Sequence, residues 1–165
     1  MVEVVLVEPQ IAVNTGSIIR LCANAGARLH LVEPLGFSLD ERSLRRGGLD
    51  YHELVDTKVW PSFAACRAAL GGRWFATVAR AGSVRYDAVQ YRADDVVVFG
   101  SEADGLADDV LAGFAPDQLV HIPMRPGNRS INLANAVAIV LYEAWRQLGF
   151  DGAVPGTFEE ARESG

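Results

Sequence analysis

Hydrophobic residues in this chain fall in short, nearly unbroken runs, and polar clusters separate the runs. Residues 2–8, with Val2, Val4, Val5, Leu6 and Val7, are apolar and β-branched, which predicts a strand buried on both faces. Pro9 stops it. Asn14-Thr15-Gly16 then opens a helix to Ala25, with Asn14 or Thr15 as N-cap and Gly26 just past the end. Residues 28–33 predict a second strand, and Ser38-Leu39-Asp40-Glu41 is a capping box for a short helix ending before Gly47-Gly48. A third strand is predicted at 54–60, a helix from Pro61-Ser62 to Leu70, and a fourth strand at 74–79. A polar loop to about Asp94 leads to an apolar fifth strand at 95–99. A loop at 100–105, a short helix at 106–114 and a sixth strand at 119–124 follow. The longest helix is predicted at 130–148, capped by Ser130 and closed by Gly149.

Strands apolar on both faces and alternating with helices imply an α/β fold, a single-domain and mostly parallel sheet flanked by helices. Residues 1–150 form that domain, and 151–165, rich in Gly, Glu and Ala, a flexible tail. Ligands of such sheets sit outside the carboxyl ends of the strands. That rule points to the loops beginning at Pro9, Ala79, Gly100 and Arg125.

Composition narrows the class. Of 165 residues, 50% are hydrophobic and 22% charged, enough for one core without disulfides or a structural metal. Cys22 and Cys66 fall in apolar, helix-like segments and read as reduced core thiols. His30, His52 and His121 are scattered without metal-ligand spacing, so no metal is expected. The N-terminus lacks a basic leader, and the longest apolar stretch, 134–142, is half a membrane span. A cytoplasmic protein without a membrane partner is expected. The net charge of −6 argues superficially against nucleic acid, but half of it lies after Gly149.

Three segments carry candidate chemistry. The first runs Pro9-Gln10-Ile11-Ala12-Val13-Asn14-Thr15-Gly16 and on to Arg20. At helical spacing Ser17, Arg20 and Asn24 share a face. Arg20 reads either as a solvated charge or as a phosphate clamp beside an anion site at the helix start. The second is Phe99-Gly100-Ser101-Glu102-Ala103-Asp104-Gly105-Leu106, where a glycine at the strand end lets a ligand approach the backbone. Glu102 and Asp104, near Asp108 and Asp109, admit a paired-carboxylate or metal reading, although acids in a first helical turn also serve the dipole. The third runs His121-Ile122-Pro123-Met124-Arg125-Pro126-Gly127-Asn128-Arg129-Ser130-Ile131-Asn132 into the long helix. Asn132 and Asn135 interrupt its apolar pattern, and buried amides need partners. There is no G-x-G-x-x-G, Walker lysine, H-E-x-x-H or G-x-S-x-G, so nicotinamide, nucleotide-hydrolase, zinc-protease and α/β-hydrolase chemistry lose their main support.

Taken in this order, the three segments resemble the signature motifs of the SpoU branch of SPOUT methyltransferases, and most closely the TrmL family of small tRNA wobble-nucleotide 2′-O-methyltransferases. Asn14-Thr15-Gly16-Ser17-Ile18-Ile19-Arg20, Leu44-Arg45-Arg46-Gly47-Gly48-Leu49-Asp50, Arg129-Ser130-Ile131-Asn132-Leu133-Ala134-Asn135 and Tyr142-Glu143-Ala144-Trp145 carry the likeness, from Val4 to Gly149. The resemblance implies a deep C-terminal trefoil knot and a homodimer whose sites borrow from both chains. It implies S-adenosyl-L-methionine as cofactor, held by Val78, Gly100, Glu102, Ile122, Met124, Ser130 and Leu133. Arg20 would orient the ribose 2′-oxygen or draw on a phosphate, with Asn14, Ser130 and Asn132 shaping the catalytic pocket. Arg42, Arg45, Arg46, Arg125 and Arg129 are candidate contacts to the tRNA backbone around the anticodon. The implied reaction is methyl transfer to the 2′-hydroxyl of the wobble cytidine or uridine. The alternatives are another tRNA or rRNA site, or a non-catalytic RNA-binding protein of the same fold.

Overall fold

The structure, a computed structural model, describes residues 1–38, 57–127 and 130–154. β1 (Glu3–Val7), α1 (Ala12–Ala25) and β2 (Arg28–Val32) open the chain. β3 (Thr57–Trp60), α2 (Phe63–Ala69), β4 (Trp74–Thr77), β5 (Val84–Arg85) and β6 (Val96–Phe99) follow. α3 (Asp108–Leu111), β7 (Leu119–His121) and α4 (Leu133–Gln147) complete it. Among the described residues the sheet runs β3-β2-β1-β6-β4-β7-β5, and every pairing is parallel. Central β1 and β6 are buried at every position, which is why their sequences read as continuous apolar runs. Edge strand β3 leaves Lys58 and Val59 exposed, and the opposite edge, β5, is two residues long.

The pleat sorts the apolar runs into two cores. Val4, Leu6, Leu29, Leu31, Val97 and Phe99 meet Ile18, Ile19 and Cys22 of α1 and Val137 and Leu141 of α4. Val5, Val7, Val32, Val96 and Val98 face the other way, toward Cys66 of α2 with Leu106 and Phe114. Both cysteines are buried and unbridged. Burial pushes the Cys22 thiol up to about 12 and that of Cys66 to about 11, so neither is a nucleophile at neutral pH.

Several predicted elements are shorter than their sequence pattern. The strand expected at 119–124 ends at His121, because Ile122 and Met124 turn toward a cavity. The helix expected at 106–114 is only Asp108–Leu111, since Leu106 is used in the core and Ala107 becomes the cap. The loop to Asp94 contains β5 and a 3₁₀ turn at Tyr86–Ala88, too short to leave a periodic trace. The short helix expected after Ser38 and the first residues of the strand expected at 54–60 lie outside the described residues.

Asp95, at the foot of β6, is fully buried. Arg73 grips it with two bonds, Nε to Oδ1 at 2.9 Å and Nη2 to Oδ2 at 2.7 Å, and the Arg92 N–H adds a third at 2.8 Å. Removing Asp95 deletes three hydrogen bonds to a buried charged acceptor, while Arg73, 38% exposed, stays solvated and keeps its bond to the Gln90 carbonyl. Asp95→Ala should therefore lower stability by about 3 kcal/mol. The check is a lower urea midpoint at unchanged slope; a loss under about 1 kcal/mol would contradict it.

Candidate functional site

The loops after β4, β6 and β7 meet at the carboxyl ends of their strands around a cavity of about 530 Å³. Val78, Gly100, Glu102, Ile122, Met124, Ser130 and Leu133 all line it. Apolar Phe99, Leu111 and Ala136 add to the wall, and so do Arg80, Asp104 and Asp108.

The motif-two loop folds back on itself. Ser101 and Gly105 exchange backbone hydrogen bonds of 3.1 and 3.0 Å, with Gly105 at φ 71°. A Cβ at Gly100 would lie 2.0 Å from the Gly105 carbonyl carbon and 2.2 Å from the Leu106 nitrogen. Glycine is required there by the protein's own returning loop, and Gly100 also lines the cavity.

Three hydrogen-bonded side chains tie the three sequence segments together. Glu102 accepts from the Gln10 N–H at 2.7 Å, the Ile11 N–H at 3.1 Å and Asn14 Nδ2 at 3.1 Å. Asn14 Oδ1 accepts in turn from Asn132 Nδ2 at 3.0 Å. Asn132 Oδ1 caps α4, accepting from the Ala134 and Asn135 N–H groups at 2.9 and 3.3 Å. The relay has one self-consistent direction. The cap fixes the Asn132 oxygen, so its NH₂ must face Asn14, whose own NH₂ then faces the carboxylate.

The structure corrects three expectations. Helix α1 begins at Ala12 after Ile11, and neither Asn14 nor Thr15 caps it. Glu102 holds the N–H groups of Gln10 and Ile11, which precede the helix, so a carboxylate sits at the entry to α1. Asn132, not Ser130, caps α4, because the helix begins three residues later than its sequence pattern suggests. Asn132 and Asn135 are exposed rather than buried amides. The paired-carboxylate reading also weakens: both Glu102 oxygens are occupied by donors, and Asp109 Oδ1 accepts from the Val110 N–H. No group of three metal-ligating side chains exists among the described residues.

Arg20 is exposed on α1, on one face with Val13, Ser17 and Asn24, and does not line the cavity. Arg125 is exposed in the turn after Met124. Arg42, Arg45, Arg46 and Arg129 lie outside the described residues. Sequence reasoning names Asp104 only as a possible paired carboxylate and does not single out Arg80, although both line the cavity. Arg80 directly follows the fourth predicted strand, which was the signal available.

The model of the SpoU rRNA Methylase family matches residues 1–142. The chain belongs to that family. A relative from Burkholderia pseudomallei (strain 1106a), named tRNA (cytidine(34)-2′-O)-methyltransferase, is 55% identical over 92% of this chain and 99% of its own length. A crystallographic neighbour described as giving insight into 2′-OH methylation of C/U34 on tRNA is 43% identical, with a TM-score of 0.82 over 91% of this chain and 97% of that one. An AdoMet-bound rRNA methyltransferase from Sinorhizobium meliloti is 29% identical, with a TM-score of 0.72 over 89% of this chain and 56% of that one. The SpoU match spans all three segments joined by the relay.

Proposed function

We propose that this SpoU-family chain is an S-adenosylmethionine-dependent tRNA methyltransferase acting on the ribose 2′-hydroxyl of nucleotide 34, a cytidine or uridine. The observation that carries the reading is the strand-end cavity whose rim is locked by the Glu102–Asn14–Asn132 relay. Near-full-length similarity to the named tRNA (cytidine(34)-2′-O)-methyltransferase supports it.

The cavity fits the cofactor in size and chemistry. It is within the range of small-molecule sites, and it offers apolar side chains for a base and strand-end backbone groups for polar edges. Val78, Gly100, Ile122, Met124, Ser130 and Leu133 hold the cofactor, while Glu102 shapes the wall beside it. S-adenosylmethionine, when bound, supplies a methyl group activated by a sulfonium. The chain's own residues position the acceptor. Arg20 orients the 2′-oxygen or neutralises a neighbouring phosphate, since a guanidinium does not give up its proton. Asn14, Asn132 and Ser130 keep the pocket rim in register.

The site is shared between two copies. Arg20 stands off its own chain's cavity, on the α1 face where Val13 is 65% exposed. On α4, Ala138 and Ile139 are half-buried and Tyr142 is 42% exposed, leaving apolar surface for a second copy to cover. The C-terminal segment threads as a trefoil knot around the cofactor. Residues 1–150 form the catalytic unit and 151–165 a tail. Arg125, with Arg42, Arg45, Arg46 and Arg129, meets phosphates of the anticodon region. The protein works in the cytoplasm, and no described helix is long and apolar enough to cross a membrane.

Labelled S-adenosylmethionine and bulk undermodified tRNA test the reading. Label should appear as 2′-O-methylcytidine or a 2′-O-methyluridine derivative. Base-methylated product alone would overturn it.

A further inference from the structure

Four charged side chains line the cavity: Arg80, Glu102, Asp104 and Asp108. Glu102 is consumed by its three N–H donors. Among the described residues the side chains of the other three make no hydrogen bond and no ion pair, although they border one space. They come from different strand ends, Arg80 after β4 and the two aspartates after β6. The turn carrying Arg80 is braced: Ser83 Oγ donates to the Arg80 carbonyl at 2.6 Å and sits 3.0 Å from His121 Nδ1. With the single hydroxyl proton committed to that carbonyl, His121 is the donor in the second bond.

A cation and two acids, all three exposed, without partners among the described residues and bordering one cavity, suit a ligand carrying both charges at one end. We propose that Arg80, Asp104 and Asp108 form the subsite for the zwitterionic amino-acid end of the methyl donor, with Arg80 on its carboxylate and the aspartates on its ammonium. A guanidinium meets a carboxylate through two parallel bonds, and an ammonium offers three donors to the acids opposite. The proposal deepens the donor reading above and rests on it. The purely solvated alternative for these charges predicts no ligand dependence at all.

Calorimetric titration with two probes separates the cases. S-adenosylhomocysteine keeps the amino-acid end, and 5′-methylthioadenosine lacks it. Arg80→Ala should weaken the first about tenfold, the size of one good charge-assisted contact, and leave the second within about twofold. Arg80→Lys, which keeps the charge without the two parallel bonds, should restore only part of the loss, and Asp104→Asn with Asp108→Asn should again weaken only the first probe. Equal losses for both probes, or no loss for either, would overturn the subsite while leaving the donor site standing. Failure of the native protein to bind either probe would overturn the donor reading itself, and the subsite with it.

Discussion

Arg20→Ala and Ile122→Glu chains, each inactive alone, are expected to recover about a quarter of native activity when refolded or expressed together, as random assortment into symmetric dimers requires. Arg20→Ala removes a group placed at the acceptor, and the loss should be about 10²- to 10³-fold in kcat/KM. Ile122→Glu puts an unpaired charge into the half-buried cavity wall and closes the donor site. In a mixed dimer, a site formed from one chain's cavity and the other chain's Arg20 escapes both substitutions. Half of the dimers are mixed, and each has one such site. If Arg20 served its own chain's cavity, every site in the mixture would carry a defect, and activity would stay at the level of the single variants. The two outcomes differ by far more than assay error.

Glu102→Gln should cost about 10²-fold in kcat/KM, the scale expected when an active-site rim shifts by about an ångström. Glutamine has one acceptor oxygen where glutamate has two, and three N–H donors converge on this carboxylate. In either amide orientation an NH₂ faces a donor, so the start of α1 or the Asn14 contact is lost. Stability should fall by about 2 kcal/mol, the range for losing hydrogen bonds to a charged acceptor and leaving a donor unmet. Glu102 acts by position rather than by moving a proton. The shape of the pH–rate profile should therefore survive the substitution while its height drops. Loss of a titrating limb would assign Glu102 to proton transfer and contradict this role.

The relay also shows where local sequence signals run out. Val4 to Val7 and Val96 to Phe99 announced buried central strands because both faces of the sheet are covered. The strand-end rule pointed to four loops, of which those after β4, β6 and β7 line the cavity and the one at Pro9 does not. Caps were another matter. Ser130 and Asn132 are equally good N-caps by type, and only the backbone decides which one sits at the helix start. The N–H groups just ahead of α1 are held by Glu102, 92 residues away from Gln10, where no local pattern can reveal it. Gly100 stands out in the sequence at a strand end, but that the backbone of Gly105 is what excludes a Cβ there is visible only in three dimensions. Arg80 escaped notice because a lone arginine after a strand carries no pattern. Its interest arises only from sharing a cavity with Asp104 and Asp108.

The most direct test of the central claim uses paired tRNA transcripts that differ at a single atom. One carries ribose at nucleotide 34, and the other carries 2′-deoxyribose there. With S-adenosylmethionine and native protein, mass mapping should place one added methyl on nucleotide 34 of the first transcript and none on the second. Equal methylation of both transcripts, or none on a substrate set that includes the cell's own undermodified tRNA, would contradict the account.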